Sequence, residues 1–176
     1  FSSTVFFGDS LTDSGHFRPV LTQINPAAGV AGRFTTNPGY VWAEYLARHY
    51  GTNAIANGNG QGGDNYAVGG ARVAVDSVGA LGATPALTTQ LQGYLAANGG
   101  QADANALYTV WGGANDLFAI AAGAPVQATI GQAVAGQVGM VGALKMAGAQ
   151  YVLVPTLPDI GLTPSSVAGG PVAMAQ

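Results

Sequence analysis

Three short runs of residues constrain this chain more than anything else in it. Thr4-Val5-Phe6-Phe7, Ala106-Leu107-Tyr108-Thr109-Val110-Trp111 and Tyr151-Val152-Leu153-Val154 are built from β-branched, aromatic and aliphatic side chains. None shows the strict apolar–polar alternation of a strand with one wet face, so each is expected to be a strand buried on both sides. Each is stopped by turn chemistry: Gly8-Asp9-Ser10 after the first, Gly112-Gly113 after the second, Pro155 and Pro158 after the third. Helical patterns fill the intervals. One helix is expected to begin near Pro38 with Asn37 as its cap, to carry Val41, Trp42, Tyr45, Leu46 and His49/Tyr50 at helical spacing, and to end at Gly51. A second should open at Thr84-Pro85 and close at Asn98-Gly99-Gly100; a third should run from about Pro125 to Met146, with Gly148 just beyond it. Asn57 to Asn65 reads as a turn-rich loop. Apolar strands alternating with helices predict a parallel sheet covered on both faces, a three-layer α/β/α sandwich. With no internal repeat and no linker composition, residues 1–176 are expected to form one domain. In such sheets ligands bind beyond the carboxyl ends of the strands.

Composition removes several classes of function. Hydrophobic residues make up 48% and charged residues 7%, which excludes disorder driven by charge. Five basic side chains against a net charge of −3 cannot hold a phosphate backbone, so nucleic acid is not expected as a partner. There is no cysteine, hence no disulfide and no thiolate metal site. The charge-free run between Asp116 and Lys145 contains Pro125, Gln127, Thr129, Gln132 and Gln137, and reads as a buried, loosely amphipathic helix rather than a membrane span. No basic segment precedes Phe1, so any signal peptide is expected to have been removed already.

Three polar motifs fall at strand ends or in loops. In Phe7-Gly8-Asp9-Ser10-Leu11-Thr12-Asp13, a serine on a tight strand-to-helix turn could project its hydroxyl at the sheet edge, with its own N–H and a helix start facing developing negative charge. The plainer alternative makes Ser10 a helix cap and Asp13 a turn residue. In Asn65-Tyr66-Ala67-Val68-Gly69-Gly70-Ala71, paired glycines would let a backbone N–H approach a ligand, or would simply form a loop. In Gly112-Gly113-Ala114-Asn115-Asp116, the asparagine amide could donate to an oxyanion, or could cap a helix. The Asn57–Asn65 loop could also be considered for phosphate or Ca²⁺, but its single carboxylate, Asp64, and the lack of a P-loop lysine argue against both.

Taken in order, the three motifs resemble the first three sequence blocks of the GDSL (SGNH) serine esterases and lipases. Gly32-Arg33-Phe34-Thr35-Thr36-Asn37 resembles the segment between the first two blocks, and Leu157-Pro158-Asp159-Ile160-Gly161-Leu162-Thr163-Pro164 is similar to a segment of the family's autotransporter esterases and secreted lipases. The resemblance implies a flavodoxin-like SGNH hydrolase fold and hydrolysis of fatty-acyl or short-chain carboxylic esters through an acyl-enzyme on Ser10. It implies an oxyanion hole from the Ser10 N–H, the Gly70 N–H and the Asn115 amide, with Gly69 as the neighbouring alternative to Gly70. Asp9, Asp13 and Asp116 would shape loops through turn and cap hydrogen bonds. No metal or organic cofactor is implied, the substrate being a small-molecule or lipid ester. The autotransporter-like segment implies a secreted or cell-surface location on a bacterial outer membrane.

The family's closing Asp-x-x-His block, which would supply the general base and its orienting carboxylate, does not occur. The two histidines are His16, in a His-Phe-Arg-Pro stretch that reads as an exposed loop, and His49, on the helix with Trp42 and Tyr45. The chain is therefore expected to be the N-terminal part of a longer catalytic domain whose remaining C-terminal piece brings the Asp and His. The competing expectation is a surface domain of the same fold without catalysis, in which Ser10 is only a turn residue.

Overall fold

The computed structural model describes residues 1–27, 32–35 and 39–164. Strands β1 (Thr4–Gly8), β4 (Leu107–Trp111) and β5 (Tyr151–Leu153) form one parallel sheet in the order β1-β4-β5. Between β1 and β4 the chain makes helices α1 (Arg18–Ile24), α2 (Trp42–His49) and α3 (Leu87–Ala97), and a hairpin of β2 (Ser77–Gly79) and β3 (Gly82–Thr84). Helices α4 (Ala114–Ala121) and α5 (Val126–Ala147) then lead to β5.

Side chains of successive strand residues point to opposite faces, and the two faces find different partners. Val5, Phe7, Tyr108 and Val110 pack with Leu87, Leu91 and Tyr94 of α3 and with Met140 and Leu144 of α5. On the other face Phe6 packs with Ala43 and Ala47 of α2 and with Val41 and Ala54. Helices thus cover both faces and the three-layer α/β/α arrangement stands. Outside β1 a further segment adds to the edge in parallel: Phe6 donates to Asp64 O, Tyr66 N–H to Phe6 O and Val68 N–H to Gly8 O.

The structure moves several expected boundaries. Helix α2 begins at Trp42, later than expected, because the Val41 N–H is taken by Glu44 Oε2 at 3.1 Å, closing the first turn there; Asn37 and Pro38 lie outside the described residues. Helix α3 begins at Leu87 rather than Thr84, since Thr84 is held in the β2–β3 hairpin. The stretch at Arg18-Pro19 is helical, not a loop, with proline in the first turn where no N–H is needed. The run after Asp116 splits into two helices. Of α5 only Thr129, Met140 and Leu144 are buried, so it is not the buried helix expected; Ile130, Val134 and Val138 form an exposed stripe at four-residue spacing. Strand β5 is likewise uncovered at Tyr151 and Leu153, which are 47% and 40% exposed.

Candidate active site

Parallel pairing sets Gly8 of β1 opposite Trp111 of β4, so the loops carrying Ser10 and Asn115 leave the sheet side by side. On the far side of β1, the hydrogen bond from Val68 N–H to Gly8 O brings Gly69 and Gly70 to the same edge. The first motif is therefore flanked by the second and the third at the carboxyl ends of the strands.

Ser10 is partly exposed and its hydroxyl makes no hydrogen bond among the described residues. It sits on a turn closed by the N–H groups of Thr12 and Asp13, both donating to Asp9 O at 3.0 Å. No helix follows directly, since α1 starts only at Arg18, so the expected field of a helix start behind Ser10 is not present.

Asp13 organises what surrounds this turn. Its Oδ1 accepts from Gly15 N–H at 2.8 Å and His16 N–H at 2.7 Å, while Oδ2 accepts from Gly69 N–H at 2.8 Å. That last bond occupies the Gly69 N–H and removes it as a donor to a ligand. The Gly70 N–H makes no hydrogen bond among the described residues, and Gly70 adopts φ +84°, which a side chain would strain. Burial pushes the Asp13 carboxyl up, against the lowering effect of the three N–H groups that bond it.

The second and third motifs are joined directly. Asn115 Nδ2 donates to Ala71 O at 2.9 Å, leaving the second N–H of that amide. One residue on, Asp116 accepts from Arg72 Nε at 3.0 Å and from Val73 N–H at 2.9 Å. Helix α4 is started by Gly113 in the left-handed region (φ +118°), not capped by Asn115. The aspartates thus shape loops by turn hydrogen bonds, although Asp116 works through an ion pair the sequence did not announce.

Two further residues escaped sequence reasoning. Gln90 of α3 is 3% exposed; its Oε1 accepts from Gly8 N–H and its Nε2 donates to Gly8 O, both at 2.9 Å. Gln137 of α5 donates to Gly112 O at 2.6 Å. Each amide serves backbone groups where β1 and β4 end and normal ladder partners run out. The only available signal was a glutamine among apolar α3 positions, Leu87, Leu91 and Tyr94.

Asp9 is the electrostatic oddity. It is 2% exposed, Oδ1 accepts from Leu11 N–H at 3.0 Å, and Oδ2 has no partner. Burial pushes its carboxyl from 3.8 up to about 6, and the nearby Asp116 charge adds to the rise.

Neither histidine engages Ser10. His49 is exposed at the end of α2, edge-on to Tyr50. His16 is half-buried rather than exposed, packed edge-on to Phe17 and beneath Gly58, where a Cβ would meet its ring at 2.1 Å. Burial lowers its pKa, and the Asp13 charge opposes this. Among the described residues no group of three or more His, Cys, Asp or Glu could hold a metal ion, and no helix is long and apolar enough to cross a membrane.

Comparison with known proteins agrees with this layout. The model of the GDSL-like Lipase/Acylhydrolase family matches residues 4–174. Lipase 1 of Photorhabdus luminescens is 32% identical over 93% of this chain and 23% of its own length. Esterase EstA of Pseudomonas aeruginosa is 36% identical over 98% of this chain and 30% of its own length, and Esterase EstA of Pseudomonas putida matches equally. The chain thus spans between 23% and 30% of the length of these curated relatives. A family match over nearly every residue, joined to three motifs meeting at one sheet edge, places the chain in the GDSL-like lipase/acylhydrolase family.

Proposed function

We propose that this chain carries the nucleophile and the oxyanion-binding groups of a serine esterase acting on fatty-acyl or short-chain carboxylic esters. The observation that carries the reading is the division of labour between adjacent glycines. Asp13 ties the Gly69 N–H into the frame, while the Gly70 N–H, the Ser10 N–H and one N–H of the Asn115 amide stay available at the same strand ends.

In this reading Ser10 Oγ attacks the ester carbonyl carbon and its proton passes to a base. The carbonyl oxygen becomes an oxyanion received by the three donors, which were oriented before the reaction and need not reorganise as charge develops. Collapse expels the alcohol, which takes up the proton, and water then releases the acid from Ser10 by the same steps in reverse roles. No metal or organic cofactor takes part. The base is a histidine oriented by an aspartate, from an Asp-x-x-His segment outside these residues, and the exposed stripe on α5 with the open flank of β5 is where that segment would pack. We also infer a secreted or outer-membrane location, from the similarity of the Leu157–Pro164 segment to the family's autotransporter esterases.

The test uses the protein together with its Asp-x-x-His segment. A fluorophosphonate should label Ser10, and Ser10→Ala should abolish ester hydrolysis with folding intact. The 176-residue chain alone should hydrolyse an activated ester close to background. Full activity from this chain alone, with mass confirmed and nothing bound, would place the base within these residues and overturn the division proposed. A longer protein that binds no fluorophosphonate and shows no ester hydrolysis would favour the non-catalytic surface domain instead.

A further inference from the structure

Away from the serine, three of the five basic side chains of the whole protein line one cavity of about 220 Å³ between α1, α2 and the Arg33 segment: Arg18, Arg33 and Arg48. The carboxylate lining it is Glu44 alone, already shared between Arg33 Nε at 3.0 Å and the Val41 N–H. Arg33 and Arg48 are carried over the same Tyr40 ring, 5.2 and 4.3 Å from its centroid. The ring offsets part of their repulsion, since its face is electron-rich. Counting Arg33 and Arg48 alone, two guanidiniums against the one lining carboxylate still leave a local excess of positive charge, in a chain whose net charge is −3.

The donors are also underused. Among the described residues Arg48 makes no hydrogen bond, and Arg33 bonds through Nε only, which leaves its terminal N–H groups. Gln61 and Asn53 also line the wall, but the Gln61 amide nitrogen is already given to the carbonyls of Gly15, His16 and Gly58, so Arg33 and Arg48 are the available donors. A planar guanidinium fork matches two oxygens of a tetrahedral anion, the geometry for which arginine is preferred over lysine. The volume holds such an anion with several waters, each needing about 30 Å³. The lining contains none of Ser10, Gly70 or Asn115, so the cavity is separate from the serine edge.

We infer that this cavity is a binding site for a phosphate group, either free inorganic phosphate or the headgroup of a phospholipid. It stands whether or not Ser10 hydrolyses esters. Arg33 and Glu44 form the fixed wall, Arg48 closes over the anion from the exposed end of α2, and Tyr40 holds the two guanidiniums in register.

The experiment titrates the protein with inorganic phosphate by calorimetry, with sodium chloride at equal ionic strength as the control. A second arm measures sedimentation with phosphatidylcholine vesicles, with and without phosphatidylglycerol. Phosphate should bind more tightly than chloride, and Arg48→Gln should weaken it roughly tenfold, the loss of a charge-assisted bidentate pair. Arg48→Lys should recover only part, and Lys145→Gln, a charge removed at the far end of α5, should change nothing. Binding of phosphate with no vesicle association identifies the free ion as ligand; vesicle binding that depends on Arg48 and is competed by phosphate identifies the headgroup. Arg18→Gln provides a second test should Arg48→Gln fold poorly. Phosphate that behaves as chloride does, or binding indifferent to both arginines, overturns the site.

Discussion

The two flanks of β4 differ in how completely their groups are matched. Toward β1, the loops are joined by many named polar pairs: Gln90 on both groups of Gly8, Gln137 on Gly112, Asp13 on Gly69, Asn115 on Ala71, Arg72 on Asp116. Toward β5, aliphatic and aromatic side chains stand open: Ile130, Val134, Val138, Tyr151, Leu153. The first flank ties its loops to one another through these hydrogen bonds, the kind of support that positions donors for an oxyanion. The second has the apolar character of a surface built to be covered. In the function proposed above, the first flank supplies the oxyanion donors and the base comes with whatever covers the open flank.

The largest effect that could break this contrast is at Gln90. Gln90→Leu strips the buried Gly8 N–H of its partner, while Gly8 O keeps the Val68 N–H, and should cost about 3 kcal/mol of folding stability, read from urea unfolding. A loss below about 1 kcal/mol would mean that water or a shifted backbone replaces the amide, and that the edge is not rigidly held. Asn115→Ala follows: about 3 kcal/mol of transition-state stabilisation should be lost in kcat for an ester, against only about 1 kcal/mol in unfolding. Equal losses in both would reduce Asn115 to a structural link to Ala71.

Asp9 gives a pH-dependent test of about 2–3 kcal/mol. Its carboxyl is raised from 3.8 to about 6 in the folded state, so between those values the native protein keeps a proton that the unfolded chain has lost. Its stabilising contribution is full below the ordinary carboxylate value and disappears as pH rises through 6. Wild type should lose stability relative to Asp9→Asn between pH 4 and 7, and parallel pH curves would show that Oδ2 is solvated after all. The smallest effect is expected on the open flank. Val138→Gln should change the unfolding midpoint of this chain by no more than about 0.5 kcal/mol. In a protein containing the covering segment the same change should cost about 1–2 kcal/mol. Equal effects in the two would remove the covering role of α5.

Much of the fold was readable because its determinants are local. Apolar β-branched and aromatic runs broken by glycine or proline announced β1, β4 and β5, and Gly148 marked the end of α5 through its left-handed conformation. The unread elements, α1, α4 and the β2–β3 hairpin, are short and depend on what they pack against rather than on period. Helix starts at Trp42 and Leu87 came later than the Asn-Pro and Thr-Pro signals suggested, since Glu44 and the hairpin compete for those residues.

The order of residues by itself determined the layered class, the absence of any cysteine chemistry, and which loops bear a serine, a glycine pair and an asparagine, because composition and punctuation are properties of the chain alone. Only the tertiary structure decided which glycine keeps a usable N–H, that Gln90 and Gln137 hold the strand ends, that Asp9 is left with an unpartnered oxygen, and that Arg18, Arg33 and Arg48 share a cavity. Those are relations between groups far apart in sequence, such as Gly8 with Gln90 and Asp13 with Gly69, and no local pattern encodes which distant partner a polar group will find once the layers close.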